Sequence, residues 1–376
     1  MWKATTLGEV AEIITGPFGS ALHKSDYKPS GTAVLMPQNI GNRTVDYQDI
    51  ARIGEEDTER LSRYRVTQDD IIYARRGDVE KHAFVTANDT DMICGTGCMR
   101  IRVSSPEVMP KFASFYLNRP ETRQWVVQHA VGSNMPNLNS GIVSAIPLSY
   151  PPKDEQEAIV DLLDSLDVAI ATNVQVNDNL QAMALSQFMH QFFRKDPNGE
   201  LSDVLIELPK SQVQVRDAKD IAGRYPFFTS GASVLRWDEP LAGGRNLLLN
   251  TGGNADVKFY VGEMAYSTDT WAITARDDLA DYAYLLLQAI SPELDQKYFL
   301  GTGLRHLQKP LLKKRPIYIP SDAELNVFNA VAVPAMTMIS ENLRENRQLQ
   351  ELRDWLLPLL MNGQATVASS DKLSFT

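Results

Sequence analysis

Gly132-Ser133-Asn134-Met135-Pro136-Asn137-Leu138 and Gly301-Thr302-Gly303-Leu304-Arg305-His306-Leu307 open two stretches of this chain that run in step. Gly132 falls on Gly301, Leu138 on Leu307, Pro147 on Pro316, Pro151 on Pro320 and Glu155 on Glu324, each pair 169 residues apart. Upstream, Phe115 falls on Tyr284 and Leu117 on Leu286 at the same shift. One offset shared by glycine, leucine, proline and glutamate marks an internal repeat, which sets the architecture before any single element is read.

Downstream the register passes into helical sequence. Ile159, Leu162, Leu166, Ala169, Asn173, Val176, Leu180 and Met183 alternate three and four apart, a heptad seam. The same shift gives Phe328, Val331, Ala335, Met338, Asn342, Glu345, Leu349 and Leu352. Pro151-Pro152 precedes the first run and Asp196-Pro197-Asn198-Gly199 ends it. Ser321 with Glu324 forms a capping box for the second, Asn362-Gly363 ends it, and Pro334 is a candidate kink. Each helix runs about 40 residues, or about 60 Å. Asn173 and Asn342 lie near the two midpoints, so an antiparallel coiled coil would bring them level and let them set its register.

Upstream of each helix the texture changes. Short β-like runs such as Ala33-Val34-Leu35-Met36, Asp70–Ala74, Met99–Val103, Asn246–Leu249 and Trp271–Thr274 are broken by Gly, Pro, Asn and Asp. One short helix sits in each, near Pro110–Leu117 and Leu279–Ile290. The expected fold class is mixed α/β: two globular domains, each followed by a long helix, with the helices paired antiparallel. The boundaries are 1–150 for the first domain, 151–195 for the first helix, 196–319 for the second domain, 320–363 for the second helix, and a disordered tail over 364–376.

The 376 residues carry a net charge of -10, against the basic balance usual for a protein that holds nucleic acid unaided. A partner or local basic patches would have to supply phosphate contacts, and Lys313-Lys314-Arg315 is one such run. No apolar run is long enough to span a bilayer and no secretory leader is read, so a cytoplasmic protein is expected. Cys94 and Cys98 flank a glycine turn without the further ligands a zinc site needs. They read as small buried residues; no metal or cofactor is expected.

The loops carry the chemistry. They are polar, glycine-rich and dotted with side chains that read base edges in pairs of hydrogen bonds. The candidate DNA contacts are Ser20, Gln38, Asn39, Arg75, Arg76, Asn134 and Asn137 in the first domain. In the second they are Thr229, Ser230, Asn254, Thr268, Thr302, Arg305 and His306.

Taken together, Leu7–Ser20 with its Gly16-Pro17-Phe18-Gly19-Ser20, Leu61–Val66, Asp69–Gly77, Gly132–Leu138, Tyr225–Gly231 and Gly301–Leu307 resemble the specificity subunit of type I restriction–modification systems, over residues 1 to about 363. The resemblance implies two target-recognition domains, each reading one half of a bipartite site in double-stranded DNA. It implies helices that hold them apart and dock two methyltransferase subunits, with restriction (translocase and nuclease) subunits joining in the complete enzyme. A helix of about 60 Å matches roughly 18 base pairs at 3.4 Å each, the scale of a split site. The second domain is the shorter, and Asn254-Ala255-Asp256-Val257 stands where the family often has a more basic stretch.

Two other readings compete. Catalysis by this chain lacks a phosphate-binding Gly-x-x-x-x-Gly-Lys loop and an Asn-Pro-Pro-aromatic methylation motif. Asp78-Val79-Glu80-Lys81-His82 resembles a metal-dependent nuclease cluster only locally. A pure coiled-coil interaction scaffold would explain the seams and leave the loop-rich domains without a purpose. A non-catalytic subunit is therefore expected.

Overall fold

The computed structural model describes residues 2–19, 21–132 and 136–367. Ser20, Asn134 and the tail from 368 onward lie outside the described residues. The chain divides into two compact units, Met1–Val168 with Leu349–Thr376, and Ala169–Gln348.

In the first unit a four-stranded antiparallel sheet runs in the order Ala11–Thr15, Cys98–Val103, Ile71–Ala74, His82–Phe84. A second sheet joins Tyr27–Lys28, Ala51–Ile53, Thr32–Leu35, Met92–Cys94 and Arg65–Val66, with one parallel pair, Thr32–Leu35 on Met92–Cys94. Lys3–Thr6 pairs with Pro147–Tyr150 at the edge where the long helix begins. The alternating burial of these strands explains their sequence: Ile71 and Tyr73 face one core with Met99 and Ile101, while Ile72 and Ala74 face another with Leu35 and Cys94. Cys94 and Cys98 are buried there as free thiols, and burial pushes the Cys94 thiol up to about 12.

The second unit repeats this plan by itself. Its four-stranded sheet runs Leu205–Glu207, Thr270–Ala275, Arg245–Asn250, Val257–Val261, again antiparallel. Its other sheet keeps the parallel pair, Tyr225–Phe228 on Ala265–Tyr266, and adds Val234–Trp237. Gly199–Glu200 pairs with Pro316–Ile317. The short helices obey the sequence offset: Ser140–Ser144 in the first unit and Lys309–Lys313 in the second are 169 residues apart at both ends.

The long helices are Lys153–Gln191 and Asp322–Met361, the latter unbroken through Pro334. Ser321 donates its backbone N–H and its hydroxyl to Glu324, which also meets Lys195, and these bonds hold the Glu324 carboxyl down at about 2. In the first unit Ile159, Val160 and Leu163 share a core with Leu357, Leu360 and Met361. In the second, Ala184, Phe188 and Phe192 share one with Leu325, Phe328, Ala332 and Met336.

Two expectations need correction. Val331, Met338, Leu352 and Met183 are exposed, while Ala332, Met336, Asn346, Leu357, Ala184 and Phe188 are buried. A straight helix drifts off a strict seven-residue repeat, and these helices also pack on their own domain. Val261 donates its N–H to Ser340 and Arg344 reaches the Val261 carbonyl, for example. Asn173 also does not meet Asn342. It donates to Asn346 at 2.9 Å and Glu345 at 3.0 Å, while Asn342 donates to Asn177 at 2.8 Å, one helical turn from the expected level. Rotating the buried face re-pairs the asparagines. The chain after the second helix is not wholly loose: Ala365 and Val367 pack on the first core.

Candidate nucleic-acid interface

In each domain several loops meet at one end of the four-stranded sheet, and the backbone joins them in the same way. In the first, Leu138 donates its N–H to the Arg75 carbonyl at 2.9 Å, and Arg76 bridges Asn137 across the next pair. In the second, Leu307 donates to the Thr251 carbonyl at 3.0 Å, and Gly252 bridges His306. A third loop closes each arrangement: Arg75 donates its N–H to Gly97 O, and Thr251 donates to Asp269 O. Both loops turn on a glycine in the left-handed region, Gly77 at φ 78° and Gly253 at φ 84°, where a Cβ is strained. The pairs of loops that sequence alone could only enumerate are thus brought together twice.

What each side chain does there differs. Arg75 is half-buried, donates Nε to the Leu138 carbonyl at 3.1 Å and lies 5.4 Å from the exposed Phe18 ring. It staples the two loops. Arg76 is exposed beside it, with no ion pair among the described residues. Asn137 Oδ1 is shielded from solvent and has no hydrogen-bond partner among the described residues. His306 is exposed opposite Gly252, and Thr302 is exposed on the same loop. Gln38 is exposed next to the Gly95–Gly97 turn, where Pro37 limits the space around Gly97.

Residues 1–182 match the family model described as the type I restriction modification DNA specificity domain. The match spans just under half of the 376 residues. It is 23% identical over 230 residues to the type I restriction enzyme HindI specificity subunit of Haemophilus influenzae, covering 60% of this chain and 48% of that protein. It is 22% identical over 418 aligned positions to the type I restriction enzyme MjaIX specificity subunit of Methanocaldococcus jannaschii, covering 97% and 94%. The aligned stretch is thus about half of the first relative and nearly all of the second. The crystal structure of the type I restriction–modification system S subunit from M. genitalium superposes with a TM-score of 0.61 at 15% identity, over 96% of both chains, so the fold is shared.

Several predicted contacts turn inward. Asn39 is fully buried; its amide donates to the Asp46 and Gln48 carbonyls and its oxygen accepts the Met36 N–H. Thr229 is buried and its hydroxyl serves the Gly231–Ser233 turn. Neither has spare capacity to read a base. Ser230 donates to the Asp269 carbonyl, and Thr268 is half-buried with its N–H on Val213. Arg305 is gripped by both oxygens of Asp295, at 2.8 and 3.0 Å, and reaches Asn254 Oδ1 at 2.6 Å. That grip holds Asp295 below the usual carboxylate range and fastens the Asn254 loop.

Phe18, Thr251, Asp269 and Asp295 belong to the site and were not singled out. Phe18 and Thr251 had a local signal in their glycine-rich loops, while Asp269 and Asp295 lie outside any such loop. The basic run also resolves differently: Lys313 pairs with Glu207 and Arg315 with Glu293. The cluster Asp78–His82 comes apart. Lys81 pairs with Asp78, Glu80 faces Arg123, and His82 is buried 3.0 Å from Ser114 Oγ. Among the described residues no group of three His, Cys, Asp or Glu side chains is placed to hold a metal ion, and no helix is long and apolar enough to cross a membrane.

Proposed function

We propose that this chain is the non-catalytic DNA-reading subunit of a type I restriction–modification complex. The domains run over residues 1–150 and 196–319, and each reads one half of a bipartite site in double-stranded DNA. The helices, 151–195 and 320–363, pair as a continuous antiparallel coiled coil, set the distance between the half-sites and dock two methyltransferase subunits.

The observation that carries this reading is the repeated bridge, Arg76 to Asn137 and Gly252 to His306, at the same topological point of two domains. A scaffold has no use for the same polar loop junction built twice. The reading narrows the candidates to the exposed Gln38 and Arg76 with the half-buried Asn137 in the first half, and the exposed Asn254, Thr302 and His306 in the second. Opposite residue order along the helices supports the coiled coil: Asn173 meets Asn346 and Asn177 meets Asn342.

The test is co-purification with candidate methyltransferase subunits, then selection from random duplex DNA by the complex at a stated salt concentration. A two-part motif with a constant spacer is expected. Partner binding with no enriched motif refutes DNA reading and leaves a scaffold.

A further inference from the structure

A lysine cluster gathers around Trp271 in the second domain. Trp271 is buried, and its indole Nε1 donates to Glu207 Oε2 at 2.8 Å. Lys309 Nζ stands 5.0 Å from the indole ring and Lys313 Nζ 6.0 Å. Lys313 is neutralised by Glu207. Lys309 and Lys210 carry no ion pair among the described residues. Lys309 is half-buried and Lys210 exposed. Lys210 follows Leu208, whose N–H bonds the Ala272 carbonyl beside Trp271. Burial lowers the Lys309 pKa, and the Lys313 and Lys210 charges push it further down against Glu207.

The cluster is continuous with the candidate interface. Lys309 starts the short helix directly after His306 and Leu307, and Trp271 is two residues from Asp269, whose carbonyl receives Thr251. In the first domain the matching helix is Ser140-Gly141-Ile142-Val143-Ser144, which carries no cation. Three ammonium groups against one carboxylate leave an excess of positive charge facing solvent, in a chain whose net charge is -10. Lysine suits phosphate as a point charge on a flexible stem.

We infer that Lys309, held over Trp271, and its neighbour Lys210 form a phosphate-binding patch that grips the DNA backbone beside the second half-site. The inference rests on the DNA-reading function. The patch carries no sequence information; it supplies affinity where the second domain's own reader Arg305 is locked to Asp295.

The experiment uses the complex with its methyltransferase partners and measures duplex affinity across a salt series, for selected and for unrelated DNA. Each phosphate contact contributes about 0.9 to the slope of log affinity against log salt. Lys210→Gln with Lys309→Gln should flatten the slope by about 1.8 and weaken binding roughly ten-fold at low salt. Both DNAs should be affected alike, with the selected motif unaltered. Lys309→Arg, which keeps the charge, should retain the slope and report that the fold is intact. An unchanged slope overturns the patch. So does loss of the methyltransferase partners on gel filtration, which would make the lysines a protein-docking surface. Failure of the unmodified complex to select any motif would count against DNA reading instead, while the salt slope on unrelated duplex would still test the patch.

Discussion

In the first domain the loop after Ile71–Ala74 presents Arg75 and Arg76; in the second, the loop after Arg245–Asn250 presents Thr251, Gly252 and Gly253. The backbone junction is the same, but the side-chain chemistry is not. Among the described residues the first half offers an arginine without an ion pair beside an asparagine oxygen without a partner. The second offers a histidine across from bare glycine backbone, with its arginine consumed by Asp295 and its spare cations moved to Trp271. A shared frame with divergent loops is what reading two different half-sites requires, because the frame positions and the loops discriminate.

The anchors beneath the loops differ too, although each arginine grips its own long helix at the matching turn. Arg43 lies 3.4 Å above the Phe115 ring and donates to Asp167 at 2.6 Å; Asp167 also receives Arg353 at 2.8 Å. Arg245 is bidentate to the buried Asp281, at 2.5 and 2.6 Å, and reaches Thr337 and the Val333 carbonyl. Asp281 is 1% exposed, so Arg245→Leu would strand a buried carboxylate. A loss of about 3–5 kcal/mol is expected in the second unit's unfolding transition in urea, with the first unit's unchanged. Equal loss in both would mean that the two units unfold as one.

Acid should separate the halves in the other direction. His82 is buried and stacked on Tyr73, and burial, then the Arg43 charge, hold its pKa down at about 3. Ser114 Oγ accepts Arg43 Nε at 3.1 Å and lies 3.0 Å from His82 Nε2. The unfolded chain takes up a proton near pH 6.5 that the folded first unit refuses. Stability is therefore complete above pH 6.5 and falls as pH drops toward 3, by roughly 2 kcal/mol at pH 5. Among the described residues the second unit's His190 and His306 are exposed, so its transition should move less. His82→Gln should flatten the first unit's pH dependence between pH 5 and 7; an unaltered profile would clear His82 of the effect.

Specificity offers a sharper cut. Arg76→Gln should relax a single G·C position of the first half-site by about 1–3 kcal/mol, because arginine pairs bidentately with guanine. His306→Ala should relax only the second half. A uniform loss across all sequences would reassign Arg76 to phosphate. The smallest effect is in the helices. Asn173→Leu removes two inter-helix bonds, to Asn346 and to the exposed Glu345, and should cost about 1 kcal/mol in thermal unfolding. Changing Asn346 to Leu as well should restore part of that stability, since the buried amide left without Asn173 is then gone and Glu345 is exposed to water.

Much of this was legible in the residues. The 169-residue repeat, the helices around 153–191 and 322–361, the strands near Ala33, Ile71, Met99, Leu247 and Trp271 and the short helices near 110 and 280 all follow from hydrophobic period and turn chemistry, which act over a few residues. Even the meeting of Asn137–Leu138 with the arginine loop has a partial trace, because Gly132–Leu138 recurs as Gly301–Leu307 at the 169-residue shift.

The fate of individual polar groups was decided elsewhere. Asn39, Thr229 and Arg305 have the same composition signal as Gln38, Arg76 and His306, yet the first three are spent on Asp46, Ser233 and Asp295. Whether a donor is free depends on which distant carbonyl or carboxylate the folded sheet brings beside it. The helix register shows the same limit at one turn's resolution: Asn173 found Asn346 rather than Asn342 because each helix answers to its domain as well as to its partner. Periodicity and turn residues determined the elements and their repetition; only tertiary packing assigned the hydrogen bonds, and the bonds left unmade are what mark the candidate reading surface.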